Sequence, residues 1–207
     1  RVSPHVQLIP NMIDTRNIDL LRCTPRMNGE RLTVAMSGGI RPQKNFTLFA
    51  EIANILRNDE FDFLWIGGGE IPVQQPLPAN LKVTGWLDRN DAVKLLAQAD
   101  VFAQTSLWEG LPIALLEAMA LGLPVLSTPG VGNSELVLDG VNGYICEDAR
   151  DFERRLRALA AVPEDRVRMG QSSRNIVDRN HAVLVNAPCW ASLYQAYSRY
   201  EKFTLLR

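Results

Sequence analysis

Six short apolar runs, most of them closed by a turn and followed by a stretch of helical pattern, leave few folds open to this chain. The runs are Leu32–Met36, Phe61–Ile66, Leu81–Thr84, Val101–Gln104, Pro124–Ser127 and Tyr144–Cys146. Helical stretches are Asn45–Arg57, Asn90–Gln98, Ile113–Leu121, Ser134–Leu138 and Ala149–Ala160, then Glu164–Asp178 and Val183–Phe203. Strands this continuously apolar have no face for water, so helices must cover both sides of the sheet. That requirement predicts an α/β fold: a parallel, doubly wound, three-layer, Rossmann-like sheet closed by C-terminal helices. Sheets of this kind bind ligands outside the carboxyl ends of their strands, and every chemically suggestive loop here follows a strand.

A length of 207 residues suits one such domain with a helical tail, and a hydrophobic content of 46% supplies its core. The net charge of -1 argues against a nucleic-acid or membrane-surface protein driven by bulk charge. Cys23, Cys146 and Cys189 are too far apart for a metal or disulfide framework, and read as buried thiols in a reducing compartment. His5 and His181 are too scattered for a metal site or a catalytic triad. The absence of a signal peptide or of a membrane-spanning apolar run gives the expectation of a cytoplasmic protein. Arg1 stands in place of an initiator Met, as in an excised fragment, and the polar stretch Arg16–Arg31 reads as a surface connector.

The segment Glu109-Gly-Leu-Pro-Ile-Ala-Leu-Leu-Glu117-Ala-Met-Ala carries the most chemistry. Without its glutamates it is an apolar helix from Ile113 to Leu121, with Pro112 where a first-turn proline is tolerated. A helix apolar on every face is buried, so the Glu117 carboxylate needs a polar partner. Glu109 falls just before the helix start, where unpaired N–H groups and the positive dipole end collect anions. Two proton-accepting carboxylates beside an anion-binding helix end suit a phosphorylated sugar. As isolated residues, Glu109 reads more readily as a first-turn glutamate favoured by the dipole and Glu117 as the partner of a core arginine; the surrounding residues reverse that preference.

Other loops are compatible with a phosphate. Ser37-Gly38-Gly39-Ile40-Arg41-Pro42-Gln43-Lys44-Asn45 follows the first strand and leads into a helix capped by Asn45. Its glycines let backbone approach a ligand, and Arg41 and Lys44 add positive charge. It is neither a Walker loop nor Gly-x-Gly-x-x-Gly, and a solvated turn is the competing reading. Gly67-Gly68-Gly69-Glu70 ends the second strand and Thr84-Gly85-Trp86 the third, where Trp86 either stacks on a ligand or packs. In Pro129-Gly-Val-Gly-Asn-Ser-Glu135, Gly130 and Gly132 are placed to shape a pocket floor, while Glu135 reads as a first-turn helix residue.

The full segment from Ser106-Leu-Trp-Glu109 to Gly122-Leu-Pro-Val-Leu-Ser-Thr128 resembles the retaining, nucleotide-sugar-dependent glycosyltransferases of the GT-B fold. That large family includes glycogen and sucrose synthases and many bacterial polysaccharide and lipopolysaccharide transferases. Weaker likeness runs from Ile9-Pro-Asn-Met-Ile-Asp14 to the terminal helix around Trp190. The resemblance implies one half of a GT-B fold, with residues 1–31 as interdomain connector and residues 32–180 as donor domain. Residues 181–207 would form a helix returning toward an N-terminal acceptor domain, its aromatic face of Trp190, Tyr194 and Tyr197 either unusually exposed or paired with another copy.

It further implies that Glu109 faces the donor sugar, that Glu117 holds the ribose hydroxyls, and that backbone at Gly110, Leu111, Pro112 and Ile113 faces the sugar and diphosphate. Pro112 replaces a frequent glycine and removes one N–H. Lys44 matches the family's diphosphate lysine, but Gly39 stands where an arginine is expected, so Arg41 is the candidate replacement. Gly38, Gly39, Gly67, Gly85 and Trp86 complete the donor-binding candidates. Glu109, Lys44 and Arg41 are the catalytic ones.

The expected reaction moves a hexose from a nucleoside-diphosphate sugar, uridine before guanosine, to a glycan or glycolipid acceptor hydroxyl. No metal or other cofactor is expected, the location is cytoplasmic and peripheral at the inner membrane face, and the fragment alone binds donor without transferring sugar. A sugar-nucleotide epimerase of similar architecture and a non-catalytic nucleotide-sugar-binding module are the alternatives.

Overall fold

The computed structural model describes residues 8–22, 31–72 and 76–204, with side chains through Gln195. His5, Cys23 and the side chain of Tyr197 lie outside the described residues.

A six-stranded, wholly parallel sheet forms the middle layer: β1 (Leu32–Ser37), β2 (Phe61–Ile66), β3 (Leu81–Val83), β4 (Val101–Gln104), β5 (Val125–Ser127) and β6 (Gly143–Ile145). Their order is β3-β2-β1-β4-β5-β6. Winding therefore proceeds one way from β1 to β3 and then reverses, leaving a topological switch point between β1 and β4.

The helices are α1 (Thr15–Leu21), α2 (Phe46–Ile55), α3 (Arg89–Leu96), α4 (Ile113–Ala120), α5 (Val131–Leu136), α6 (Ala149–Ala161), α7 (Pro163–Asn180) and α8 (Val183–Thr204). One apolar layer joins α2 and α6 to the sheet, around Phe46, Phe49, Phe63, Trp65 and Phe152. Its aromatic rings meet edge to face, Phe46 and Trp65 at 4.9 Å and Phe49 and Phe63 at 5.5 Å between centroids. The second layer joins α1, α3, α4 and Val177 of α7 to the other face. Both faces are thus covered, as the apolar strands require.

Three expectations need correction. Residues 15–21 are a helix, not part of a surface connector: Asp14 caps it by accepting from the Asn17 N–H, and Ile18 is fully buried. Helix α5 starts three residues early, at Val131, which places Glu135 near its end rather than in its first turn. Cys189 is half-buried, whereas Cys146 is fully buried and its thiol is pushed up to about 12 by that burial, which makes it an inert core residue.

The entry and exit segments are joined. Ile13 bridges Ala182 in parallel, the Ile13 N–H donating to His181 O at 2.7 Å and the Val183 N–H to Ile13 O at 3.0 Å. On α8, Leu184 and Tyr194 stay exposed, and Trp190 stacks on Tyr194 at 6.1 Å.

Candidate functional site

Four loops converge at the carboxyl ends of β1, β2, β3 and β4, and glycines set how closely they approach. Gly67 has φ of 145°, and a Cβ there would lie 2.1 Å from Gly38 O. No side chain fits, and the loops after β1 and β2 run in direct backbone contact. The Gly38 N–H donates to Ile66 O at 2.9 Å, and the Trp65 indole donates to Gly38 O at 2.9 Å. Gly67 also bridges Gly85, bringing in the loop after β3.

Across the switch point, the β1 and β4 loops are stitched together. The Leu107 N–H donates to Gln43 O at 2.8 Å, and the Thr105 hydroxyl donates to Lys44 O at 3.0 Å. Asn45 adopts φ of 51° and accepts from the Leu48 N–H, so it ends the turn at Pro42–Lys44 and caps α2. Lys44 is thereby aimed back over Gly38, whose missing side chain leaves room for its Cε.

The result is a partly buried ion pair. Lys44 Nζ lies 2.7 Å from Glu109 Oε1, with the two side chains 16% and 9% exposed. Gln104 at the end of β4 donates to the same Oε1 at 3.0 Å, and Gln43 reaches Oε2 at 3.4 Å. Gln104 Oε1 is buried with no hydrogen-bond partner among the described residues. The Glu109 carboxylate is therefore fixed from three sides. From below, Gly132 leaves room for the Gly110 carbonyl, which a Cβ would approach to 2.1 Å.

Glu109 and Glu117 flank the start of α4. Pro112 is the N-cap residue, without a side-chain cap, and Ile113 opens the helix. The first-turn N–H groups consequently have no side-chain partner at the cap, an anion-accepting arrangement. Leu111 O accepts from the Asn11 side chain at 2.9 Å, tying this loop to the entry segment.

Glu117 is 8% exposed, and Arg89, the first residue of α3, reaches it. The guanidinium Nη2 lies 2.8 Å from Oε1, an oxygen shielded from solvent. Burial pushes the Glu117 carboxyl above the usual carboxylate range, and Arg89 opposes the rise.

Trp86 is 69% exposed, and its ring lies over Gly39 and Gly68. A Cβ on Gly39 would meet Trp86 Cη2 at 2.9 Å and Arg41 Nε at 3.5 Å. The Arg41 side chain thus stands beside the glycine that replaces the expected arginine, exposed and without an ion-pair partner among the described residues. Direct contacts link Lys44 with Glu109 and Gly38, Gly39 with Trp86 and Arg41, and Gly67 with Gly38 and Gly85, while Gly110 to Ile113 lead into α4, where Glu117 meets Arg89.

Sequence reasoning missed Gln104, Gln43 and Arg89. Gln104 had a signal, an amide ending an otherwise apolar strand. Arg89 had another: a cation in the first turn of a helix opposes the dipole and calls for an outside anion. Among the described residues, no three His, Cys, Asp or Glu side chains gather as a metal cluster, and no helix is long and apolar enough to cross a membrane.

Comparisons with known proteins converge. The profile of the family described as "Glycosyl transferases group 1" matches residues 31–161. The UDP-Gal:alpha-D-GlcNAc-diphosphoundecaprenol alpha-1,3-galactosyltransferase of Escherichia coli is 32% identical over 191 residues, covering 82% of this chain and 49% of the relative. Anabaena Alr3699/HepE, solved with UDP and glucose, superposes with a TM-score of 0.75 at 20% identity, over 91% of this chain and 56% of its own. The C-terminal domain of the Francisella tularensis group 1 glycosyl transferase LpcC superposes with a TM-score of 0.69 at 18% identity. That match covers 83% of this chain and 99% of the LpcC domain.

Proposed function

This chain belongs to the group 1 glycosyl transferases, with the Rossmann-like architecture of one GT-B half, and from that premise we propose that it is the donor-binding half of a retaining hexosyltransferase. It spans about half the length of the relatives it matches, 49% of the E. coli galactosyltransferase and 56% of HepE. The acceptor contacts then fall to a second, N-terminal half of the whole enzyme.

The observation that carries the reading is the Lys44–Glu109 pair at the switch point between β1 and β4. A cation and a hydroxyl-accepting carboxylate, held 2.7 Å apart where such sheets bind ligands, match the two ends of a sugar-diphosphate bond. In the reaction the bond between the anomeric carbon and the diphosphate oxygen breaks, and an acceptor hydroxyl forms the new glycosidic bond, its proton ending on the departing diphosphate. Lys44, Arg41 and the start of α4 stabilise the negative charge on the departing diphosphate, an electrostatic role that calls for no metal. Glu109 orients the sugar through its hydroxyls, and Glu117 takes the ribose hydroxyls at the other end of the donor.

UDP is the favoured nucleotide, because HepE binds UDP and the galactosyltransferase is named for UDP-Gal. The acceptor belongs to polysaccharide, lipopolysaccharide or glycolipid synthesis, and the whole enzyme works in the cytoplasm at the inner membrane face. The test is to incubate the two-domain parent with UDP-glucose or UDP-galactose and lipid-linked sugar acceptors. Glycosylated product supports the reading; epimerised donor without transfer overturns it.

A further inference from the structure

We propose that Arg89 is a positioning residue for donor binding, holding the Glu117 carboxylate anionic and in place to receive the ribose hydroxyls; this rests on the donor-site reading above. The two residues come from separate elements, the start of α3 and the middle of α4, and meet at 2.8 Å. Arg89 is half exposed while Glu117 is buried, so the guanidinium stands between solvent and the carboxylate. It is three residues beyond Trp86, at the same strand end that supplies Gly85. A cation in the first turn of α3 opposes the helix dipole, and the Glu117 carboxylate facing it offsets that cost.

The contact leaves acceptor capacity where a ligand needs it. Arg89 sits on Glu117 Oε1, the oxygen shielded from solvent, so the other oxygen, Oε2, is the one a ligand hydroxyl would meet. A charged carboxylate with unspent lone pairs binds hydroxyls about twice as strongly as a neutral acid does. Burial works against that charge, and Arg89 is the cation that opposes it. Other charged groups nearby face elsewhere. On α3, Asp88 caps the helix and Lys94 pairs with Asp91. At the far end of α4, Arg174 binds Ala120 O and Asp19, and Arg22 lies beside Gly122.

A merely structural Arg89 would not control the pH dependence of binding, and this separates the two roles. UDP-glucose and UDP-galactose are the probes, because a nucleotide sugar lacks the terminal phosphate that titrates near pH 6 in free UDP. The tighter of the two is titrated by calorimetry from pH 5 to 8 into the unsubstituted protein, Arg89→Gln, Arg89→Lys and Glu117→Gln. Removing a cation within about 4–6 Å raises a carboxylate by about 1–3 pH units. The acid limb of Arg89→Gln should therefore move up by about one unit or more, weakening affinity about ten-fold within the limb. Arg89→Lys should return most of it, and Arg89→Gln added to Glu117→Gln should move nothing. An unmoved limb in Arg89→Gln, or weakening by the same factor at every pH, overturns the inference while the donor site stands. Failure of the unsubstituted protein to bind either probe overturns the donor-site reading and this inference with it.

Discussion

Lys44 and Glu109 neutralise each other across the switch point of the sheet, Nζ 2.7 Å from Oε1. One residue comes from the turn after β1 and the other from the loop after β4, and a backbone hydrogen bond from Leu107 N–H to Gln43 O holds those loops in register. In the donor-site reading this pair must open when the diphosphate arrives, because Lys44 cannot serve two anions with full strength. Gln104, still bonded to Glu109, keeps the carboxylate in place while its partner changes.

That exchange gives opposite signs for the two residues. Lys44→Ala should weaken UDP about ten-fold or more, the loss of one charge-assisted hydrogen bond. Glu109→Ala frees Lys44 and should leave UDP binding equal or tighter, while weakening UDP-glucose or UDP-galactose. Calorimetry of both ligands against both variants checks this. Equal losses for both ligands in both variants contradict the assignment.

The departure at Gly39 has a steric side. An arginine there must push aside the Trp86 ring, whose Cη2 would lie 2.9 Å from the new Cβ. Gly39→Arg alone should not tighten UDP, and Gly39→Arg combined with Trp86→Ala should. Arg41→Ala should weaken UDP about ten-fold while leaving uridine unchanged, since only the diphosphate is lost from its reach. Unchanged UDP affinity in Arg41→Ala would identify that residue as a solvated turn arginine.

How much of this was legible in sequence follows from where the information lies. Strands β2 and β4 were readable to the residue, because short runs of largely apolar residues between acidic residues on one side and Gly67 or Thr105 on the other leave little choice. Helix α1 was not. Its seven residues, Thr-Arg-Asn-Ile-Asp-Leu-Leu, bury only Thr15 and Ile18, too few to show a period, and its stability comes from packing on α3 and α4. The start of α5 was hidden because Gly130-Val-Gly132 reads as a turn; only the folded chain reveals that Gly132 is needed against Gly110 O. The resemblance placed Lys44, Glu109 and Glu117. It did not provide their partners, since Gln104 and Arg89 meet them only through the strand order.

Glu117 should show a conflict between function and stability. Its carboxyl is raised by burial, so the folded state holds the proton more tightly than the unfolded chain. Ionisation therefore costs stability as pH climbs from the ordinary carboxylate range through the raised value. Glu117→Gln should be more stable than the parent at pH 7, with the gap closing under acid conditions, while its UDP affinity falls about ten-fold. Thermal unfolding at several pH values tests the first part. A variant less stable at pH 7 would show that the ion pair with Arg89 outweighs the cost of burial.

Arg174 ties three elements away from the site. It binds both oxygens of Asp19 on α1 at 2.6 and 3.0 Å, Ala120 O at the end of α4 at 2.9 Å, and Asp178 at 2.8 Å. Arg174→Ala should cost about 2 kcal/mol, a Tm drop of about 4–8 °C, with UDP affinity unchanged. The Arg174 hydrogen bond holds Asp19 below the usual carboxylate range. That contribution is present above the ordinary range and is lost as pH falls through the lowered value. A Tm unchanged by the substitution would reduce the contact to a surface pair.

The most direct test of the donor site is a titration of UDP into this protein in excess chelator, repeated with magnesium, and with Lys44→Ala and Glu117→Ala measured alongside. The account predicts one site of similar affinity with and without the metal, weakened about ten-fold or more by either substitution. Binding that requires magnesium would contradict the role given to Lys44 and Arg41. No binding, or binding indifferent to both substitutions, would contradict the site itself.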